Sequence, residues 1–168
     1  MSHAEREHKA HAPRHVMLAI VTVSDSRDAA RDTSGALLAT LVEGAGHRIL
    51  SRALVRDEPD LIRGALREAL QAGAEVVVFT GGTGIARRDV TIETLAPRFA
   101  KTLPGFGEIF RALSFEEIGS AAMASRAAAG VVGGALVFLL PGSPDACRLA
   151  MERLILPELG HLVGQLRR

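Results

Sequence analysis

Short apolar runs alternate along the chain with segments in which apolar residues recur every three or four positions. Three near-continuous apolar runs are typical of strands buried in a parallel sheet, and a weaker alternating run indicates a fourth strand. These runs lie at residues 16–23, 76–79, 135–140 and 49–55. Strands that alternate with helices, joined by right-handed crossovers, predict a three-layer α/β fold: a doubly wound, mostly parallel sheet with helices on both faces.

Capping and turn residues mark the predicted helices between these strands. Asp32, Thr33 and Ser34 offer caps for the first helix, and Pro59 suits the first turn of the second. A short helix is expected at residues 92–95. The segment 99–130 is predicted to be helical but broken, because Pro104 and several glycines interrupt it. A last helix is predicted to carry the apolar residues Cys147, Leu149, Ala150, Leu154 and Ile155.

No linker divides the chain, so residues 16–168 are expected to form a single domain. Residues 1–15 are polar and contain four histidines, namely His3, His8, His11 and His15. Because these histidines show no regular ligand spacing, this segment is predicted to be a disordered leader and not a metal-binding tail.

Composition excludes several classes of function. The 168 residues carry 20 basic and 19 acidic side chains, with no Trp or Tyr and only 6 Phe, so nothing favours nucleic-acid binding. One cysteine excludes an internal disulfide and suits a reducing compartment. The apolar runs are too short to span a bilayer, so no membrane association is expected. These observations predict a cytoplasmic protein.

Polar or glycine-rich segments follow all four predicted strands. They contain Ser24, Asp25 and Ser26 after the first strand, Asp57 after the second, residues 80–89 after the third, and Pro141, Gly142 and Ser143 after the last. Because the carboxyl ends of parallel strands meet at one edge of a sheet, these segments are expected to form an active-site cleft there.

The segment after the third strand contains the loop Gly81-Gly82-Thr83-Gly84, which Arg88 and Asp89 follow. Bare backbone N–H groups in such a loop can bind anions, and an aspartate is a hard oxygen ligand suited to Mg²⁺. The spacing matches neither the dinucleotide-binding nor the P-loop fingerprint. A tight turn with positive φ would also explain two glycines. The charged residues favour a phosphate site with a metal beside it.

Several motifs follow one another in order between residues 16 and 159. They are Thr80-Gly-Gly-Thr-Gly-x-x-Arg-Arg-Asp-Val-Thr91, Pro104-Gly-Phe-Gly-Glu108, Leu113-Ser-Phe-Glu-Glu-Ile-Gly119, Ser125-Arg126 with Gly130, and Pro141-Gly-Ser-Pro144. Together they resemble the MoaB/Mog family of molybdenum cofactor biosynthesis proteins, and the segment from Pro104 to Gly119 is most similar to the MoaB branch. The resemblance implies a molybdopterin-binding α/β fold, assembled as a trimer or hexamer.

Active members of this family transfer AMP from Mg-ATP to the terminal phosphate of molybdopterin. The resemblance therefore implies a molybdopterin adenylyltransferase that uses Mg²⁺ with ATP and takes molybdopterin as substrate. Asp57 and Asp89 match the two aspartates that active members use for catalysis and for Mg-ATP. The expected contacts to pterin and phosphate are Ser24, Asp25, Ser26, Thr80, Gly81, Gly82, Thr83, Gly84, Arg88, Ser125, Arg126, Pro141, Gly142 and Ser143. Other proteins of the pathway are conceivable partners.

These residues also have simpler explanations. Asp57, Asp89 and Ser143 could each be a helix N-cap. Four others could belong to ordinary polar turns or solvated helix ends: Ser24, Ser26, Ser125 and Arg126. Cys147 is expected to pack in the core, as free cysteines usually do.

Two other functions compete with the transferase. The chain could hold molybdopterin without adenylating it, since catalytic competence is not uniform within the MoaB branch. Related amidase-type domains share the fold, but their loop pattern, Gly-Gly-Leu-Gly-Pro-Thr, differs from the loop present here.

The middle segment contains more apolar side chains than one sheet face needs. These are Ile109, Phe110, Leu113, Phe115, Ile118 and Met123. A contiguous apolar surface usually meets a partner chain, so a homo-oligomer with threefold symmetry is expected.

Overall fold

The computed structural model describes Pro13 and residues 15–168. The predicted leader lies almost entirely outside these residues, and so do His3, His8 and His11.

Six strands form one central sheet. They are β1 (Met17–Val23), β2 (Arg48–Val55), β3 (Val76–Thr80), β4 (Lys101–Thr102), β5 (Ala128–Val132) and β6 (Ala135–Leu140). Their order is β2-β1-β3-β6-β5-β4, in which the first four are parallel and the last two are antiparallel to their neighbours. The predicted mostly parallel α/β sheet is therefore confirmed.

Helices connect the strands. They are α1 (Thr33–Gly44), α2 (Pro59–Gln71), α3 (Thr91–Leu95), α4 (Pro104–Ile118), α5 (Pro144–Ala150), a π-helical turn (Met151–Ile155) and α6 (Leu156–Leu166). The Asp32 side chain caps α1 by accepting from the Gly35 N–H at 2.9 Å, as expected of an aspartate there. The predicted last helix is present and continues beyond Ile155 to Leu166.

The core lies on both faces of the sheet. On one face, the strand residues Leu18, Val78 and Phe138 pack with α1, α4, α5 and α6. On the other face, Val21 and Phe79 pack with α2 and α3. Alternate residues of the same strands are buried on opposite faces, which explains why these strands are apolar without interruption.

The middle segment differs from the prediction. Helix α4 is continuous, because Pro104 stands in its first turn, where no N–H is needed. Gly107 lies inside this helix, and a methyl group there would come within 2.7 Å of the Ala127 carbonyl oxygen. The short strands β4 and β5 were not predicted. Strand β5 joins β6 through Gly133 and Gly134, which both have positive φ.

Two of the six apolar side chains assigned to a surface face the core instead. Phe110 is fully buried, and Leu113, also on α4, is partly buried and packs against the core. Ile109, Phe115, Ile118 and Met123 are exposed, as a partner-binding surface requires. None of the helices in the described part of the chain has the length and apolar composition that a membrane span requires.

Sheet order determines where a ligand can bind. From β1 the chain crosses to β2 on one side, and from β2 it crosses back to β3 on the other side of β1. Loops that leave neighbouring strands in opposite directions open a crevice between them, and ligands of open α/β folds bind in such crevices. The register aligns Thr22 with Thr80, and Thr80 with Leu140, so the loops after β1, β3 and β6 begin at one level.

Candidate functional site

A cavity of about 520 Å³ opens at this edge of the sheet. Thirteen of the predicted site residues line it: Ser24, Asp25, Ser26, Asp57, Gly81, Gly82, Thr83, Gly84, Asp89, Ser125, Arg126, Pro141 and Gly142. The predicted convergence of four strand exits is thus observed. Ala121 and Ala124, from the turn after α4, complete one wall and were not predicted.

Three predicted site residues do not line the cavity. Thr80 is buried beneath it, where its hydroxyl donates to the Pro141 carbonyl at 2.9 Å and lies 3.1 Å from the Cys147 sulfur. This bond joins the loops that follow β3 and β6. Ser143 caps α5 by accepting from the Ala146 N–H at 3.3 Å, which confirms its simpler explanation. Arg88 lies outside the lining, paired with Asp25.

Cys147 is buried, as predicted. Burial raises the pKa of its thiol, so the neutral form predominates at neutral pH. Its contact with Thr80 makes it part of the packing under the site.

The glycine loop has two conformational demands. Gly81 (φ 98°) and Gly82 (φ 61°) occupy the left-handed region, so the tight-turn explanation accounts for these two. Gly84 has no positive φ and is small for another reason: a methyl group on it would lie 2.7 Å from Asp89 Oδ2.

Three backbone N–H groups of this loop lack an acceptor within the described residues. The Gly81 N–H donates to the Leu140 carbonyl at 3.0 Å. The N–H groups of Gly82, Thr83 and Gly84 donate to no acceptor within the described part of the chain. Consecutive free N–H groups that border a cavity can bind an anion.

Asp57 reaches over the loop from the end of β2. A methyl group on Gly82 would lie 2.5 Å from Asp57 Oδ1. Helix α2 begins after Glu58 with no side-chain cap, so the explanation of Asp57 as an N-cap is wrong. Burial, followed by the neighbouring carboxylates of Asp25 and Asp89, raises the pKa of Asp57 above its usual value.

Asp89 has a structural contact as well as a place in the cavity. Its Oδ2 accepts from the Ala86 N–H at 2.8 Å and closes the end of the loop. Helix α3 is preceded by Val90 and has no side-chain cap, so Asp89 is not an N-cap either. Its Oδ1 accepts no hydrogen bond from the residues that the structure describes.

The two predicted site arginines are each neutralised by a carboxylate. Arg88 donates to Asp25 Oδ2 from Nε at 2.8 Å and from Nη2 at 2.6 Å, and this contact lowers the pKa of Asp25. Arg126 pairs with Glu93 and lowers its pKa, and it also donates to the Gly84 carbonyl at 3.0 Å. Arg126 therefore holds the glycine loop, and it is not a solvated helix end.

Ser24 belongs to a polar turn, as its simpler explanation proposed. Its hydroxyl accepts from the N–H groups of Ser26 and Arg27, each at 3.3 Å. The turn nevertheless places Ser24 and Ser26 in the cavity wall.

Arg27 lines the cavity and was missed as a candidate. Its Nη1 donates to the Ser34 hydroxyl and its Nη2 to the Gly142 carbonyl, both at 3.2 Å. Ser34 is fully buried and donates to the same carbonyl at 2.8 Å. The only sequence signal was the position of Arg27 directly after Ser26, at a strand exit.

The carboxylates of the cavity fit a hard divalent cation better than a transition metal. No group of three or more His, Cys, Asp or Glu side chains poised to hold a metal was found among the described residues. Mg²⁺ needs only one or two carboxylates beside substrate phosphates and water. Asp57 and Asp89 could supply these, because both line the cavity and their carboxylates lie against the glycine loop.

Comparison with known proteins identifies the family. The profile described as a probable molybdopterin binding domain matches residues 19–161. The chain belongs to this molybdopterin-binding family. The resemblance predicted from the loop motifs is thereby confirmed.

Relatives of the MoaB type resemble the chain over nearly its whole length. Molybdenum cofactor biosynthesis protein B of Bacillus subtilis is 50% identical over 165 residues, which cover 97% of each chain. A crystal structure of a molybdenum cofactor biosynthesis protein B is 47% identical with a TM-score of 0.90, covering 94% of this chain and 99% of the other. The tungsten cofactor synthesizing protein MoaB from Pyrococcus furiosus is 39% identical with a TM-score of 0.86, covering 94% and 100%.

Proposed function

We propose that this protein acts in molybdenum cofactor biosynthesis by binding molybdopterin in the cavity and transferring AMP from Mg-ATP to its terminal phosphate. The family and the names of its relatives support the pathway. The observation that carries the transferase is the position of Asp57 and Asp89 beside a loop with three free N–H groups.

In the proposed reaction, an oxygen of the pterin's terminal phosphate attacks the α-phosphorus of ATP. A new phosphorus–oxygen bond forms, the bond from the α-phosphorus to the oxygen bridging the α- and β-phosphates breaks, and pyrophosphate leaves with that oxygen. Such a transfer depends chiefly on holding two polyanions together and neutralising their charge. The N–H groups of Gly82, Thr83 and Gly84, which have no acceptor within the described residues, would donate to phosphate oxygens.

Asp57 and Asp89 would hold the magnesium ion. When bound, Mg²⁺ supplies positive charge against the triphosphate and the leaving pyrophosphate. Burial, and then the nearby charges of Asp25 and Asp89, raise the pKa of Asp57. A cation between Asp57 and Asp89 would offset the repulsion between their two charges.

One observation favours a second candidate, a protein that binds molybdopterin without catalysis. Asp89 Oδ2 is engaged by the Ala86 N–H, and Arg88 and Arg126 are neutralised by carboxylates. In a site with these contacts, the charged side chains could serve mainly to hold the loops in place around a bound pterin. The candidates differ in whether the nucleotide is consumed.

The deciding experiment incubates the purified protein with molybdopterin and Mg-ATP and separates the products by mass. The transferase predicts one adenylated pterin and one pyrophosphate for each ATP consumed, and no product when EDTA replaces Mg²⁺. Stoichiometric pterin binding with no ATP consumption would establish the binding protein instead.

We also propose that further copies of this chain cover the exposed side chains of α4 and the turn after it. Phe115 is 62% exposed and Met123 is 89% exposed, and both border one apolar groove with Ala112 and Ala122. Burial of such a groove favours association. The symmetry of the trimer or hexamer implied by the family would bring equivalent grooves together.

A further inference from the structure

The charges along the glycine loop are ordered. Asp57 lies against Gly82 and Asp89 against Gly84, so two carboxylates border the Gly82–Gly84 end. At the other end, a methyl group on Gly142 would lie 3.2 Å from Gly81 Cα, and the Gly142 carbonyl accepts from Arg27. The cavity thus has an acidic end and a basic end on either side of one loop.

Arg27 is the source of charge at the basic end. Arg88 is paired with Asp25 and Arg126 with Glu93, whereas no carboxylate of the described residues forms an ion pair with Arg27. Its two acceptors, a hydroxyl and a carbonyl, are neutral. Its positive charge is therefore not engaged in an ion pair within the described residues.

Arg27 is also held in place for binding. Two of its five N–H groups are used by Ser34 and Gly142, which fixes the plane of the guanidinium and leaves three N–H donors. The buried Ser34 hydroxyl donates to the same Gly142 carbonyl, so Arg27 is held jointly by α1 and by the loop after β6. A preorganised guanidinium with free donors is well suited to a phosphate.

We infer that Arg27 binds the metal-free terminal phosphate of the pterin, while the Mg-bound triphosphate occupies the acidic end beside Asp57 and Asp89. This inference rests on the proposed function. A phosphate that carries no metal needs a cation from the protein, and Arg27 is the lining residue that offers one. A triphosphate with its magnesium can instead approach carboxylates. With the charges in this order, the pterin phosphate and the triphosphate lie side by side along the loop, and the new phosphorus–oxygen bond forms between them.

The test compares Arg27→Met with the wild type in titrations of two pterins, in EDTA. One is molybdopterin and the other is molybdopterin from which a phosphatase has removed the terminal phosphate. Mg²⁺ with an ATP analogue that has a methylene bridge between its α- and β-phosphates is titrated separately. Loss of charge-assisted hydrogen bonds to phosphate should weaken molybdopterin about tenfold or more. Affinities for the dephosphorylated pterin and for the Mg-nucleotide should stay within about twofold of the wild type.

Two variants control for charge and for structure. Arg56→Met removes a positive charge from the same rim, where Arg56 is exposed and does not line the cavity, and molybdopterin affinity should not change. Ser34→Ala removes the hydrogen bond to the Gly142 carbonyl and one of the two anchors of Arg27 but keeps the Arg27 charge, so the preference for phosphorylated pterin should fall less than in Arg27→Met. Thermal melting checks that each variant is folded.

The inference is overturned if Arg27→Met weakens both pterins equally, or weakens the Mg-nucleotide more than molybdopterin. If the wild type binds molybdopterin but never adenylates it, the transferase proposal fails. The comparison of phosphorylated with dephosphorylated pterin then still tests the role of Arg27. If the wild type binds no pterin, the proposed function fails. Titration with inorganic phosphate in EDTA then tests whether Arg27 binds phosphate. Phosphate binding that is absent in the wild type, or equal in Arg27→Met and Arg56→Met, would overturn it.

Discussion

The Asp57 carboxylate lies directly against Gly82, so close that a methyl group on Gly82 would stand 2.5 Å from Asp57 Oδ1. The two residues come from different strand exits, Asp57 after β2 and Gly82 after β3. Gly82 also has a φ of 61°, which other residues rarely adopt. The glycine thus serves two purposes: it allows the turn, and it leaves room for a carboxylate over the loop.

Replacing Gly82 by alanine should therefore disturb the site directly. The positive φ alone costs about 1–2 kcal/mol for a residue with a side chain, and the side chains of Asp57 and Thr91 must move as well. We expect urea unfolding to show a loss of stability of at least that size. Calorimetric titration should show at least about a tenfold loss of Mg-nucleotide affinity.

Gly105→Ala is the matched control for this change. Gly105 lies in α4, and a methyl group there meets nothing within 4 Å. It should be neutral or stabilising by about 0.5–1 kcal/mol, because alanine favours a helix. Wild-type nucleotide affinity in folded Gly82→Ala would show that the loop is only a turn.

Asp57→Asn and Asp89→Asn should each abolish adenylation while molybdopterin still binds. The amide keeps the shape of the carboxylate, and at position 89 its oxygen can still accept from the Ala86 N–H. The change removes negative charge that positions Mg²⁺, so single-turnover rates should fall about a hundredfold or more. Pterin titrations should stay within about twofold of the wild type.

The outcomes of this experiment separate the two candidate functions. Wild-type rates in both variants would exclude these carboxylates as the catalytic pair. A wild type with no measurable rate, but with normal pterin binding, would support the non-catalytic protein. Melting temperatures measured in parallel show whether a lost rate reflects lost structure.

Much of the fold could be predicted because its central strands are buried on both faces. Residues of β1, β3 and β6 are apolar without alternation, and this pattern is hard to mistake once helices separate the runs. Strand β5 escaped because three of its five residues are alanine or glycine, which are depleted in strands. Strand β4 has only two residues, both exposed.

The lining of the site was predictable for a similar reason, whereas its charges were not. Parallel strands end at one edge, so polar residues after those ends had to converge. The pairings of Arg88 with Asp25 and of Arg126 with Glu93 join residues that are 63 and 33 positions apart. No local pattern reveals which arginines are neutralised. Arg27 could therefore not be singled out before the pairs were known.

The oligomer prediction can be tested through Phe115, a large exposed apolar side chain on α4. Light scattering should show a trimer or hexamer for the wild type at micromolar concentration. Phe115→Glu should shift the protein toward monomers, because a charge cannot be buried there without a partner. Leu61→Glu is the control: Leu61 is 43% exposed on α2, away from this groove, and its replacement should not change the assembly. A monomeric wild type would contradict the prediction.

The raised pKa of Asp57 leads to a prediction about stability and pH. Its folded-state pKa lies above the usual value near 3.8, so the folded protein binds this proton more tightly than the unfolded chain. The resulting stabilisation is fully present below the unfolded pKa and is lost as pH rises through the folded pKa. At neutral pH without metal, ionised Asp57 therefore lowers stability. Asp57→Asn should melt at a higher temperature than the wild type in EDTA at about pH 7, and the difference should shrink toward about pH 4.

Magnesium should reverse this difference, because a cation beside Asp57 and Asp89 favours their ionised forms. Adding millimolar Mg²⁺ at neutral pH should raise the melting temperature of the wild type more than that of Asp57→Asn. Asp60→Asn is the control: Asp60 is a highly exposed residue paired with Arg63, and its replacement should leave the response to Mg²⁺ unchanged. Equal stabilisation of the wild type and Asp57→Asn by Mg²⁺ would mean that Asp57 does not hold the ion. Since this readout needs neither pterin nor ATP, it tests the metal site separately from the transfer reaction.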